Sequence, residues 1–326
     1  MSLFDDLTDD DAGVERGDLH SVSGLVRLLT LPGIGPKKAV RLANYFAQWE
    51  RLAKAPLAEL ATVVRGNAQE LFDVIQYCSP APELPEEIKA IGCFDDEWPE
   101  WLRSINDPPA VVYVRGTLPP GGSLGVVGTR HPTEYGAKVV DSVVREAARR
   151  KIGIVSGLAL GIDGASHGAA IRYDTPTWAI LGSGVDLPTP REHHRLALEI
   201  IEAGGGLLSE QPLGTQPSAR TLVARNRLQS ASSSSLVVAQ CGIPSGTLHT
   251  VRFAVSQGRR LVVPRPRPPW SQEPQSAGNM ALTDPAGCDP QVIGATGPLA
   301  KLVASKKPLA DVVLSDSSEI DRIWNP

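Results

Sequence analysis

The chain has 326 residues, a formal net charge of −4, 42% hydrophobic residues and 21% charged residues. That is length enough for two ordinary domains. It excludes a surface coated in positive charge but not a local basic groove. No apolar run reaches a membrane span, and Cys78, Cys93, Cys241 and Cys288 lack the spacing of a zinc knuckle. No metal and no cofactor are expected. The acidic start, MSLFDDLTDDDAG, lacks the basic and apolar regions of a signal peptide, which implies a cytoplasmic protein without membrane contact.

In chain order, residues 1–20 read as an acidic flexible arm. Leu25, Leu28 and Leu29 then recur at helical spacing. The turn Pro32-Gly33-Ile34-Gly35 and the following Lys37 and Lys38 resemble a helix-hairpin-helix. There, a glycine turn lets backbone N–H groups approach a DNA phosphate and lysines add charge. The same residues also suit a structural or partner-binding hairpin, so Gly33, Gly35, Lys37 and Lys38 are candidate secondary DNA contacts only. Helical periodicity continues through Leu52, Leu60, Val63, Leu71 and Ile75, giving a small all-α, SAM-like domain over 21–80. A proline-rich linker is expected over 81–97, followed by a second domain over 98–312 and a tail over 313–326.

The second domain opens with an expected strand at 110–116. Apolar runs at 124–128, 153–157, 177–182, 206–210, 236–240 and 260–264 alternate with helical patterns at 133–150, 163–173, 191–203, 220–230 and 247–257. Continuous Val, Ile and Leu in strands separated by helices predict a Rossmann-like parallel sheet with helices on both faces. Its ligand is expected beyond the carboxyl ends of the strands.

Five strand-end loops therefore converge at one end of the sheet. They carry Gly128, Thr129 and Arg130; Ser156, Gly157, Gly161 and Asp163; Gly182; Glu210 with Arg225, Asn226 and Arg227 soon after; and Ser245, Gly246 and Thr247. Glycines admit a phosphate to the backbone, helix starts add partial positive charge, and arginines supply permanent bidentate cations. The neutral alternative for each single loop is turn geometry alone. Neither a G-x-G-x-x-G dinucleotide turn nor a Gly-Lys-Ser/Thr P-loop follows the first strand, which argues against NAD, FAD and ordinary ATPase chemistry. His167 sits four residues beyond Asp163 and reads either as an acid or base or as a satisfied polar residue; His193 and His194 lack further metal ligands.

The segments GVVGTRHPTEYG, IVSGLALGIDGASHGAA, AILGSGVD, GGLLSEQPLGT, ARNRLQSASSSSLVVAQ and SGTLHTVRFAVSQGR resemble the DNA-processing protein A family (DprA, also called Smf) over about 98–264. The resemblance implies a domain that binds and protects single-stranded DNA, helps load the recombinase RecA in natural transformation, and forms a homodimer. It assigns Arg130 to a phosphate, and the Ser-Gly-x-Ala-x-Gly-Ile-Asp turn, the Arg-Asn-Arg block and the Ser-Gly-Thr helix start to the same pocket. The sequence departs from the family at Gln240, commonly Glu, at Leu160, often basic, and at Ile243-Pro244, where lysine is frequent; each change removes charge.

Two other readings remain open. Ile243-Pro244-Ser245-Gly246-Thr247 partly echoes the Pro-Gly-Gly-x-Gly-Thr turn of the LOG family, so a nucleotide sensor, or a nucleoside-monophosphate hydrolase acting through Glu210, is one. A partner-binding regulator in phage defence is the other.

Overall fold

The computed structural model describes residues 18–66 and 68–325. These group into two compact units, one built from 18–83 with 92–96 and 109–111, the other from 84–91, 97–108 and 112–325. The boundary is thus not one cut. The segment expected as a linker over 81–97 contains a strand, and part of it belongs to the helical unit.

The helical unit holds α1 (Val22–Leu29), α2 (Pro36–Phe46), α3 (Trp49–Ala53), α4 (Leu57–Val64) and α5 (Ala68–Val74). Ser21 caps α1 by accepting the Gly24 N–H at 3.0 Å. Leu25, Leu28, Leu42 and Phe46 pack its interior. Of the expected arm, 1–17 lies outside the described residues. Residues 18–20 are fastened: Leu19 is buried, its N–H donates to Ala47 O at 2.8 Å, and Asp18 bridges Gln48.

The second unit continues with β1 (Ile88–Gly92), α6 (Glu100–Arg103), β2 (Val111–Gly116), β3 (Ser123–Gly128), α7 (Glu134–Arg149), β4 (Ile154–Ser156), α8 (Ile162–Arg172), β5 (Thr177–Leu181) and α9 (His194–Glu202). After these come β6 (Gly206–Ser209), α10 (Ala219–Ala231), β7 (Ser233–Gln240), α11 (Thr247–Ser256), β8 (Arg260–Pro264), α12 (Ala277–Leu282), α13 (Gly297–Ser305) and β9 (Val312–Leu314). The strands form one sheet of order β1-β2-β6-β5-β4-β3-β7-β8-β9. From β6 to β9 every neighbouring pair is parallel, and β2 runs antiparallel to β6.

Successive side chains of a strand point to opposite faces, and β7 shows both faces covered. Leu236 and Val238 pack with Leu248 and Val251 of α11, whereas Val237 and Ala239 pack with Val140 and Val144 of α7 and Ala169 of α8. This is the predicted Rossmann-like architecture. The expected tail starts inside β9, which pairs with β8 through Val262 and Val312. Beyond it Ile323 is buried, and Arg150 donates to Asp321 at 2.7 Å and stacks over Trp324. No helix among the described residues is long and apolar enough to cross a membrane.

Chain order runs outward from β3 to β6 on one side, then resumes with β7 on the other side of β3. The sheet therefore has its switch point between β3 and β7, where loops leave in opposite directions and open a crevice.

Candidate nucleic-acid interface

A cleft of about 590 Å³ occupies that switch point. The loop after β3 brings Gly128, Thr129 and Arg130 to it, α8 brings Asp163, α10 brings Arg225 and Asn226, and the start of α11 brings Ser245, Gly246 and Thr247. These predicted residues are separated by up to about a third of the chain, and the parallel sheet gathers them.

Two glycines are required by the local geometry. Gly161 has φ +79°, and a Cβ there would lie 2.4 Å from Thr129 O. The missing side chain lets the start of α8 dock on the Gly-Thr-Arg loop, where Ile162 N–H donates to Thr129 O at 3.1 Å. At Gly157 a Cβ would fall 1.6 Å from Arg225 Nη1, so the guanidinium occupies the space of the absent side chain.

Arg225 and Asp163 are both buried, 6% and 7% exposed, and the Arg225 guanidinium donates to Gln229 Oε1 at 3.2 Å. Burial raises the Asp163 carboxyl above the ordinary range, with Arg225 pulling it the other way. Burial likewise lowers the Arg225 guanidinium, with Asp163 opposing and Arg130 adding to the lowering. Asp163 also accepts the Ala159 N–H at 3.3 Å. The negative charge of Asp163 and the positive charge of Arg225 thus partly offset each other at depth. Arg130 is different: it is exposed, and among the described residues no carboxylate pairs with it.

Other predicted residues support the cleft without lining it. Ser156 is buried and donates to Val126 O at 2.7 Å, tying β4 to β3. Gly182 lies at the end of β5 against Leu222. Arg227 is a correction to the expected triple-arginine pocket. Its Nη1 and Nη2 donate to both Glu210 oxygens at 2.5 and 2.6 Å, and its Nε donates to Asp107 O at 2.8 Å. Arg227 therefore joins α10 to two loops, and neither it nor Glu210 lines the cleft. That geometry holds Glu210 in the pair with Arg227, outside the lining of the cleft.

The charge departures resolve differently from one another. Gln240 is fully buried; its Oε1 accepts the Thr133 N–H at 2.9 Å and its Nε2 donates to Ser276 Oγ at 3.0 Å. It is a core cross-link rather than a lost charge of the cleft. Leu160 and Ile243 are exposed on the loops after β4 and β7. His167 is buried, its Nδ1 2.7 Å from Thr177 Oγ1, and burial lowers its pKa to about 3, with the nearby His193 and Arg225 adding to the effect. His193 Nδ1 donates to Leu158 O at 2.7 Å. No group of three or more His, Cys, Asp or Glu suited to a metal occurs among the described residues.

Gln229 and His249 also line the cleft and were not anticipated. The signal for Gln229 was present: it stands three residues after Asn226 and seven after Leu222, on the same face of α10. In the helical unit, Gly33 has φ +69° and Lys38 Nζ turns back to donate to Gly33 O at 3.1 Å, while Gly35 and Lys37 lie exposed at the start of α2. The hairpin turn forms as expected.

A family model described as DNA recombination-mediator protein A matches residues 89–288. The chain belongs to this family. Among its relatives, DNA processing protein DprA of Bacillus subtilis is 40% identical over 191 residues, 55% of this chain and 64% of that protein. Protein Smf of Escherichia coli is 32% identical over 271 residues, 80% of this chain and 72% of that protein. The chain spans 64% and 65% of the length of the B. subtilis and Synechocystis relatives. DprA from Streptococcus pneumoniae shares the fold, with TM-score 0.64 and 24% identity over 80% of this chain and 96% of that one. DNA processing protein A from Helicobacter pylori, described for its single-stranded DNA binding mode, superposes with TM-score 0.53 and 26% identity over 60% of this chain and 86% of that one.

Proposed function

We propose that this protein binds single-stranded DNA in the switch-point cleft, protects it, and helps load RecA during natural transformation and recombination. The observation that carries the reading is Arg130, an exposed guanidinium without a carboxylate partner among the described residues, at a cleft where α8 and α11 begin. Helix starts present N–H groups and partial positive charge, and an unpaired arginine adds a bidentate cation, so the mouth of the cleft favours a phosphate. Family membership supports the RecA partnership, the homodimer and a cytoplasmic setting. The hairpin at Gly33, Gly35, Lys37 and Lys38 is a second, weaker contact in this reading.

No Phe, Tyr or Trp lines the cleft among the described residues. Stacking on aromatic platforms is therefore not the main source of affinity. Backbone contact dominates, which makes binding strongly dependent on salt. Fluorescence anisotropy with labelled single-stranded DNA at two salt concentrations tests this. Salt-sensitive binding supports the reading, and no binding at low salt overturns it. RecA filament formation on DNA precoated with a single-strand binding protein, with and without this protein, tests the loading role.

A further inference from the structure

Arg130 stands on a short span of chain between the end of β3 and the start of α7, and both ends of that span are fastened to one residue. Thr129 N–H donates to Gln240 O at 2.7 Å. Thr133 N–H donates to Gln240 Oε1 at 2.9 Å, and Gln240 Nε2 donates to Thr133 Oγ1 at 2.9 Å. Gln240 is the last residue of β7, is fully buried, and does not line the cleft. Its backbone and side chain together fix where the span that carries the exposed guanidinium begins and ends.

Gln240 is held in turn by the start of α12. Its Nε2 also donates to Ser276 Oγ at 3.0 Å, and Ser276 is fully buried. Asn279, fully buried as well, accepts the Cys241 N–H at 2.7 Å and donates to Val238 O and Pro264 O at 3.0 Å each. Gly278 N–H donates to Cys241 O at 2.8 Å. One asparagine thus clamps the ends of β7 and β8 together. A buried amide whose donor and acceptor are both satisfied is costly to rotate, so the Gln240 side chain has one pose, and that pose sets where Thr133 sits.

We propose that Gln240 is a positioning residue for DNA binding: it holds the span from Thr129 to Thr133 so that Arg130 is presented to a phosphate, with Ser276 and Asn279 as its supports. This inference rests on the single-stranded DNA reading above. Such preorganisation raises affinity by removing the entropy cost of ordering the loop on binding. A glutamate at 240 retains an oxygen for the Thr133 N–H, and the hydroxyls of Thr133 and Ser276 can turn to donate to it. Leucine offers neither acceptor nor donor and releases Thr133.

The test is fluorescence anisotropy with a labelled single-stranded oligonucleotide over a range of salt concentrations, on proteins shown by circular dichroism to be folded. Gln240→Leu is expected to bind roughly tenfold more weakly, with the log–log salt slope reduced in magnitude by about 0.7, the share of one phosphate contact. The double variant Gln240→Leu/Arg130→Ala is expected to bind no more weakly than Arg130→Ala alone, because both changes remove the same contact. Gln240→Glu is expected to keep the wild-type affinity and slope. A merely structural residue lowers the melting temperature without these effects. If Gln240→Leu does not fold, Ser276→Ala, which removes one hydrogen bond to the amide, carries the test, with an expected weakening of about threefold that disappears in the Arg130→Ala background. Wild-type affinity and slope in the folded variant, or additive weakening in the double variant, overturns the positioning role and leaves the DNA reading intact. Absence of binding by the wild type overturns both.

Discussion

Gly157 and Arg225 share one volume: the guanidinium Nη1 lies 1.6 Å from where a Cβ of residue 157 would be. The turn after β4 is thereby linked to the middle of α10, and the side chain that donates to Gln229 is held in place by an absence of atoms opposite it. In Gly157→Ala the guanidinium must move. Forced rearrangements of this kind in a packed interior cost about 1–3 kcal/mol. Gly157→Ala is expected to unfold at lower urea concentration and to bind single-stranded DNA more weakly, measured by denaturation and anisotropy on the same preparation.

Arg227 and Glu210 have a different role. Their side chains are 9% and 10% exposed, and two hydrogen bonds join them. Removing one partner of a buried pair strands the other charge and costs about 3–5 kcal/mol. Arg227→Ala should therefore be strongly destabilised in urea, and the double variant Arg227→Ala/Glu210→Ala less than the sum of the singles. The salt dependence of DNA binding by any folded Arg227 variant should match the wild type, because the cleft keeps its mouth.

His167 makes stability depend on pH. The Thr177 hydroxyl donates to Ile154 O at 3.0 Å, so it accepts from His167 Nδ1–H and the ring is held neutral. Burial lowers the folded pKa to about 3 from the ordinary 6.5. Between these values the unfolded chain binds the proton and the folded chain does not. Stability is therefore complete above about pH 6.5 and falls as pH drops toward 3, at up to about 1.4 kcal/mol per pH unit from this group. Urea midpoints across this window should decline with acid, and His167→Asn should flatten the decline.

Much of this fold is legible in the sequence. Strands β3 to β8 are runs of Val, Ile and Leu flanked by glycine, and burial on both faces produces that composition. The edge strands were harder. β1 is Ile-Lys-Ala-Ile-Gly with an exposed lysine, and β9 is three residues long, too short for a periodicity to emerge. Strand-end loops were readable as a pocket because parallel strands fix which end they share. The fate of individual arginines was not. Arg225 and Arg227 stand two residues apart on α10, yet one donates to Gln229 beside the cleft and the other to Glu210 away from it. Only the packing of α10 against its neighbours separates them. Gln240 shows the same limit: an amide at a strand end reads as polar surface until Thr133 and Ser276 are seen to close around it.

Gly161 gives an independent check on the docking of the Gly-Thr-Arg loop. Its φ of +79° and the 2.4 Å approach of Thr129 O leave no room for a methyl group. Gly161→Ala is expected to lower the melting temperature and to displace Arg130, weakening DNA binding as much as removal of the Arg130 side chain does. Thermal denaturation and anisotropy together read both effects.

The central claim is that a phosphate of single-stranded DNA sits on Arg130. It is tested most directly by the dependence of binding on salt concentration, measured for the wild type and for Arg130→Ala. Loss of one phosphate contact should lower the magnitude of the log–log slope by about 0.7 and weaken binding on every DNA sequence. Unchanged affinity and unchanged slope in a folded Arg130→Ala protein would contradict the claim.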